Sequence, residues 1–350
     1  YNATEAKRSF LLKAWKYSKP DGVRLKVDLP SSLTEDKTVK VKIEKVLTGN
    51  FEKKLISGET DCPDGLTVGR FAVGVVSELF DADKSKFNRI DRVVIEPHMP
   101  CGNCLPCRNG KYAACENMQC LGQTQNGLLQ DFITLPESCL HKIPEPLKSE
   151  NALITEHVAL AIHILDALRL EKGEHIAIFS GSKLGVILAQ LASYYQAIPV
   201  LVDEDGDALA IASANNIYYA FNPKNCDVIK ELFSITGGRR CEKVAYLAND
   251  ASGVDDAVNA CAFNAKLCVG GFVDDRLKIN LPQALKKNIT LCTARTGYGN
   301  YPSALNLLTN KVIKMSDFKR TDISFDKFDG EFPKIDAHEL DYGAVVVNLD

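Results

Sequence analysis

No histidine precedes His98, and Cys62 is the only cysteine before Cys101. A reactive metal site with an open position takes about three protein ligands, His and Cys foremost, so this part of the chain cannot furnish the usual pair. A surplus of one charge is also missing. Lys and Arg number 42 against 45 Asp and Glu, a net charge of −3, without the basic excess that nucleic acid binding draws on. No charge-free apolar run reaches the roughly 18 to 20 residues that cross a bilayer, and the opening YNATEAKRSF lacks a signal-peptide core, so no membrane partner and a cytoplasmic setting are expected. Internal repeats and low-complexity segments are absent. What remains as partners are small molecules and further copies of the chain.

What is present is an ordinary globular composition, 45% hydrophobic and 25% charged, over 350 residues. That length exceeds a usual single core and predicts two domains. Twelve cysteines are scattered through core-like segments such as "VNACAF" and "AKLCVGG", apart from one cluster. Reduced thiols are expected, with the cluster reserved for a metal.

Up to about residue 100, short runs alternate apolar and polar between Pro, Gly and Asp: "RSFLLKAW", "KTVKVKIEKVL", "GRFAVGVVSEL" and "DRVVIEP". Period two predicts a β-rich region, continued by "LLQDFITLP" and "LHKIPEPL". At Ala152 the pattern changes to helical spacing in "ALITEHVALAIHILDALRL". From Gly173 onward strands and helices alternate: "HIAIF", a helix from Leu184 to Tyr195, "PVLVD", a helix from Ala208 to Asn215, "YYAF", "CDVIKELFSI", "KVAYLAN", "GVDDAVNACA" and "AKLCVGG". Such alternation predicts a parallel sheet with helices on both faces. The final segment opens with a strand-like "NITLCTA" and carries a helix-like "SALNLLTNKVI" before a strand-like "GAVVVNL".

The stretch "CGNCLPCRNGKYAAC" holds Cys101, Cys104, Cys107 and Cys115. Four thiolates complete the tetrahedral preference of zinc and leave no place for water or substrate, so an ion held by all four is structural, one per chain. Free thiols or an iron–sulfur cluster would use the same residues, but the short regular spacing favours zinc.

"VVIEPHMPCGNCLPCRNGKYAACENM" resembles the structural-zinc lobe of the medium-chain dehydrogenase/reductase superfamily, the zinc alcohol and polyol dehydrogenases, and "GLLQDFITLPESCLHKIPE" follows in that family's order. The resemblance covers nearly the whole chain. It implies an α/β protein with a GroES-like domain over 1–151 and 293–350, the lobe at about 95–120, and a Rossmann domain over 152–292. It also implies a homodimer or homotetramer in which Rossmann sheets join edge to edge, with "AKLCVGGFVDDRLKINL" as the pairing region.

A Rossmann domain holds pyrophosphate against a glycine-rich turn at a helix N-terminus. After "HIAIF" the residues are "SGSKLG", namely Ser180, Gly181, Ser182, Lys183, Leu184 and Gly185. Against G-x-G-x-x-G only Gly185 is in register. The hydroxyls of the two serines and the charge of Lys183 offer other phosphate contacts, while Asp203, followed by Glu204, Asp205 and Asp207, suits the ribose of NAD(H) and repels the 2′-phosphate of NADP.

Zinc-using relatives take a Cys from a C-G-x-D-like turn, a His from G-H-E, and a third ligand at the start of the long helix. Here "LTGNF" carries Thr48 in the first place and "GRF" carries Arg70 in the second; only Glu156, in "TEHVALAIH", keeps a ligand type. The resemblance therefore implies an oxidoreductase without a catalytic zinc, with Thr48, Arg70 and Glu156 at the vacated position. A rearranged site using Cys62, Glu156 and His157 is the alternative there. Arg70 would polarise a carbonyl or grip an anionic substrate. Asn50 and Arg295 are weaker candidates for the same cleft. Zinc-free relatives that reduce quinones or enoyl compounds generally lack the lobe, which leaves the substrate class open. The competing reading is a catalytically inactive homologue serving as a binding or assembly subunit.

Overall fold

Alternation in the N-terminal half becomes an antiparallel sheet. In the computed structural model, which describes residues 12–19, 21–28, 33–34, 38–247, 253–271, 276–314 and 318–349, the chain divides into one unit of 1–155 with 319–350 and another of 156–318. Residues 8–11 of "RSFLLKAW", 248–249 of "KVAYLAN" and 272–275 of the expected pairing region lie outside the described residues.

The first unit is built on a sheet ordered Arg320–Ser324, Ala344–Asn348, Val39–Thr48, Phe71–Leu79, Arg92–Ile95 and Leu140–Lys142, with Phe132–Leu135 also pairing Val39–Thr48. Along the central strand Val39, Val41 and Ile43 face the core while Lys42 faces water. The register shifts between Ile43 and Lys45. An extra residue of this kind flips the alternation, which is why Val46, and not Lys45, is buried next. The hairpin Leu12–Ser18 with Gly22–Asp28 is tied to the C-terminal return by Trp15, whose buried indole N–H donates to the Phe325 carbonyl at 2.9 Å and whose ring packs on Phe325 and Phe328. A helix, Asn50–Ser57, follows the central strand; the period-two reading gave no sign of it.

The second unit carries six parallel strands in the order Tyr219–Phe221, Ile198–Val202, His175–Phe179, Cys241–Tyr246, Cys261–Gly270, Thr290–Ala294. That is the 3-2-1-4-5-6 order of doubly wound dinucleotide-binding sheets, which place their ligand at the carboxyl ends beside the strand where the order reverses. Its first strand, His175–Phe179, runs into Ser180.

Two expectations need correcting. "NITLCTA" belongs to this sheet, because Thr290–Ala294 pairs in parallel with Cys261–Gly270; the chain returns to the first unit at Lys319, not at 293. For the same reason Cys261–Gly270 is flanked on both sides and cannot join another sheet. On that side the edge strand is Thr290–Ala294. Its neighbourhood includes Lys287, 2% exposed, whose ammonium donates to the carbonyls of Val258, Asn259 and Cys261 at 2.8–2.9 Å. A cation there satisfies carbonyls that the end of helix Val254–Ala260 leaves over.

The long helix predicted from Ala152 is Thr155–Leu168, preceded by a short turn of helix at Ser149–Ala152. Taken together, Ser149–Leu168 is long and apolar enough to cross a membrane by length and composition, yet 72% of its apolar window is buried inside the protein, as in a core helix.

Candidate functional site

The lobe brings its four sulfurs within 4.8 Å of one another. Cys101 and Cys115 Sγ are 3.5 Å apart, and Cys104 and Cys115 Sγ 3.9 Å. A tetrahedral zinc with bonds of about 2.3 Å spaces its sulfurs about 3.8 Å apart, so the cage has the size of the ion. Backbone N–H groups of Asn103 and Cys104 hold the Cys101 thiol down at about 6, and the Cys101 N–H donates to Cys115 Sγ at 3.2 Å. Burial pushes the Cys107 thiol up to about 12; a bound cation would reverse that preference. The donor set and spacing fit structural zinc, held by Cys101, Cys104, Cys107 and Cys115.

Leu47 pairs with Phe71 across two antiparallel strands, which sets Thr48 and Arg70 side by side. Thr48 is buried and its hydroxyl donates to the Val345 carbonyl at 3.1 Å. Arg70 has its guanidinium carbon 4.6 Å from the Phe51 ring centroid and 5.1 Å from that of Phe71. Its Nε lies 3.7 Å from Glu52 Oε1. Glu52, 2% exposed, is the third residue of helix Asn50–Ser57, and its other oxygen accepts the Gly49 N–H at 2.9 Å. Asn50 Nδ2 donates to Asp341. Phe51 and Glu52 were not singled out in the sequence. The only local signal was Glu52 three places after Gly49, a helix-start pattern. Cys62, needed for a rearranged metal site, sits in the apolar core, where burial raises its thiol to about 11.

Glu156 is buried at the start of Thr155–Leu168, and its Oε1 accepts the Gly297 N–H at 2.9 Å. On the same helix His163 Nδ1 is 2.7 Å from the Thr296 carbonyl, an anchoring role, and Arg295 is exposed. Among histidines without a partner motif, His141 proves to be 2.7 Å from the buried carboxylate of Glu96.

In the second unit, the turn after His175–Phe179 is held by Asp203. One of its oxygens accepts the Gly181 N–H and the other the Asp205 N–H at 2.7 Å. Ser182 is the N-cap of helix Lys183–Tyr194, whose first intrahelical bond runs from Val186 N–H to the Ser182 carbonyl. The amides of Lys183, Leu184 and Gly185 are therefore the ones a pyrophosphate would meet. Gly185 is essential to the turn, since a Cβ there would stand 1.8 Å from the Ser180 carbonyl oxygen. Ser180 carries φ 127°, a backbone that glycine adopts freely and serine only under strain.

Residues 35–145 match the alcohol dehydrogenase GroES-like domain and residues 184–310 the zinc-binding dehydrogenase domain. The chain belongs to the medium-chain dehydrogenase family. A zinc-type alcohol dehydrogenase-like protein of Haemophilus influenzae is 28% identical over 72% of this chain and 74% of its own. D-xylulose reductase A of Aspergillus oryzae is 24% identical over 80% of each. Among solved structures, a Sinorhizobium meliloti zinc-binding dehydrogenase bound to NADP and an Escherichia coli alcohol dehydrogenase complexed with NADH each superpose with a TM-score of 0.87 at 18% identity, over 97% of this chain and 99% and 100% of theirs. The family is one of alcohol and polyol dehydrogenase-like oxidoreductases, and the solved structures share the two-unit fold expected.

Proposed function

We propose that this dehydrogenase moves a hydride between NAD(H) and a small, anionic carbonyl or hydroxyl compound, with Arg70 standing where relatives keep a catalytic zinc. The observation that carries this reading is the Arg70 cluster: a cation against Phe51, Phe71 and Glu52, built where a Cys and a His would ligate metal. A part-buried guanidinium keeps its charge and its planar shape, the type of group that recognises a carboxylate or phosphate. Thr48, whose hydroxyl serves a backbone carbonyl, supports the strand end beside it; Glu156 fixes the helix start through Gly297. Bound NAD(H) would supply or accept the hydride. Ser180, Gly181, Ser182, Lys183, Leu184 and Gly185 would cradle its pyrophosphate, and Asp203 its ribose.

The decisive measurement is NADH fluorescence titrated with purified protein, alongside NADPH. Saturation is expected in the micromolar range, with NADPH weaker by at least about tenfold because four acidic residues crowd the Asp203 tip. Arg70→Met should leave NADH binding intact and lower turnover of anionic substrates by about a hundredfold or more, the loss of a charge-assisted contact of about 3 kcal/mol. No saturable signal with either nucleotide would leave the binding or assembly subunit as the better account.

The assembly we propose is a homodimer or homotetramer joined through the edge strand Thr290–Ala294, beside which Leu281, Leu285 and Leu291 are exposed. Light scattering should give a mass of two or four chains, and Thr293→Pro, which removes an edge N–H, should shift it downward. A monomeric wild type would sink the idea. A cytoplasmic setting is proposed with it, on the reduced cysteines.

A further inference from the structure

We propose that Cys292 and Cys268 are a hydroperoxide-sensitive pair that closes to a reversible disulfide, with Cys292 attacking the peroxide and Cys268 resolving the product. The two residues are register partners on adjacent parallel strands, Cys261–Gly270 and Thr290–Ala294. Neighbouring strands run about 4.8 Å apart, inside the Cα separation of about 4.4 to 6.8 Å that a disulfide spans. Register partners project from the same face, and these thiols lie within hydrogen-bonding reach of each other. Cys292 Sγ is also 3.7 Å from the Leu267 carbonyl oxygen, which places it over the seam between the strands.

The two thiols divide the roles by environment. Cys268 is fully buried, whereas Cys292 is part-exposed on the sheet edge. The Cys268 thiol donates toward Cys292, and with the charge of Lys266 holds the Cys292 thiol down near 7, while raising its own. A lowered thiol gives up its proton more readily than an ordinary cysteine and so forms the nucleophilic thiolate more easily. The same strand provides an internal comparison. Cys241 and Cys261 are also register partners, but both are sealed in the core, and burial pushes both thiols well up. Geometry alone does not make a reactive pair; access and a lowered thiol do.

The chemistry balances. The Cys292 thiolate attacks one peroxide oxygen, an S–O bond forms, the O–O bond breaks, and the departing hydroxide takes a proton to leave as water. Sulfur is oxidised to the sulfenic acid and the peroxide is reduced. Cys268 sulfur then attacks Cys292 sulfur, forming the S–S bond, breaking S–O, and releasing water with the Cys268 proton. A dithiol restores both thiols by exchange. The side chain of Cys292 stands off the sheet face, so edge pairing between copies and this reaction use different groups. Nothing in the proposal depends on cofactor binding or turnover.

The test treats zinc-loaded protein with stoichiometric hydrogen peroxide, blocks remaining thiols under denaturing conditions with one alkylating reagent, reduces with dithiothreitol, and labels with a second before peptide mass mapping. Cys268 and Cys292 should move together from the first label to the second, while Cys241 and Cys261 keep the first. In Cys268→Ser the Cys292 sulfenic acid should persist and be trapped by dimedone; in Cys292→Ser, Cys268 should stay reduced. The wild-type map stands if either variant fails to fold. The proposal is overturned if Cys292 remains reduced when other exposed thiols oxidise, if it oxidises without Cys268, or if it pairs with a cysteine of another copy.

Discussion

Cys107→Ser is expected to empty the lobe of metal. Wild-type protein should contain one zinc per chain, and the variant close to none, because three sulfurs cannot close the cage that Cys101, Cys104, Cys107 and Cys115 form within 4.8 Å. Structural zinc contributes roughly 10 to 16 kcal/mol in small zinc-folded peptides. Here that energy is local. From Cys101 to Met118 most residues are exposed, with Cys104 and Cys107 the buried ones, so few apolar contacts would hold the segment without the ion. Loss of zinc should therefore melt the lobe while the sheets persist. Elemental analysis reads the metal, and limited proteolysis should show new cleavage between about residues 101 and 118 with both large units resistant. Retention of zinc by the variant would sink the four-sulfur assignment. Two zincs per wild-type chain would overturn the Arg70 reading.

Gly185→Ala should damage the nucleotide turn more than any other single methyl group there. Its Cβ would lie 1.8 Å from the Ser180 carbonyl oxygen, a backbone atom that cannot swing aside. Either helix Lys183–Tyr194 moves off the sheet or the turn rebuilds. A cost of about 3 kcal/mol is expected, the upper range for overpacking, together with at least about a tenfold loss in NADH affinity. Gly206→Ala is the matched control, because nothing lies within 4 Å of the Cβ it would gain; it should be neutral or slightly stabilising. Ser180→Gly should act in the opposite sense, relieving the backbone at φ 127° and raising stability by about 1 kcal/mol. Thermal unfolding with and without NADH reads all three. A Gly185→Ala protein that melts and binds like wild type would mean that the turn differs from the one described.

The cysteine cage and the alternating strands and helices of the second unit were legible because each rests on short separations. Cys101, Cys104, Cys107 and Cys115 occupy one loop, and the stretch from "HIAIF" to "AKLCVGG" announces its elements by local period. "HIAIF" is a strand over the same residues, His175–Phe179. The absence of His and of a second Cys early in the chain was equally visible, since an absence needs no fold to be read.

Tertiary structure decided what depends on distant pairing. "NITLCTA" reads as a strand in sequence, but which sheet it joins is set by parallel register with Cys261–Gly270, and a one-dimensional pattern carries no register. That pairing moved the boundary between the units to Lys319, turned the expected association strand into an interior one, and set Cys292 against Cys268. Arg70 could be named from its place in "GRF", yet what surrounds it follows from the Leu47 and Phe71 pairing and from helix Asn50–Ser57 folding Phe51 and Glu52 onto it. Residue types are fixed along the chain, whereas the electrostatics of a side chain belong to whatever the fold packs beside it. From its sequence alone this dehydrogenase has its metal cage and its doubly wound architecture; the partners of Arg70, Asp203 and Cys292 exist only once the strands have paired.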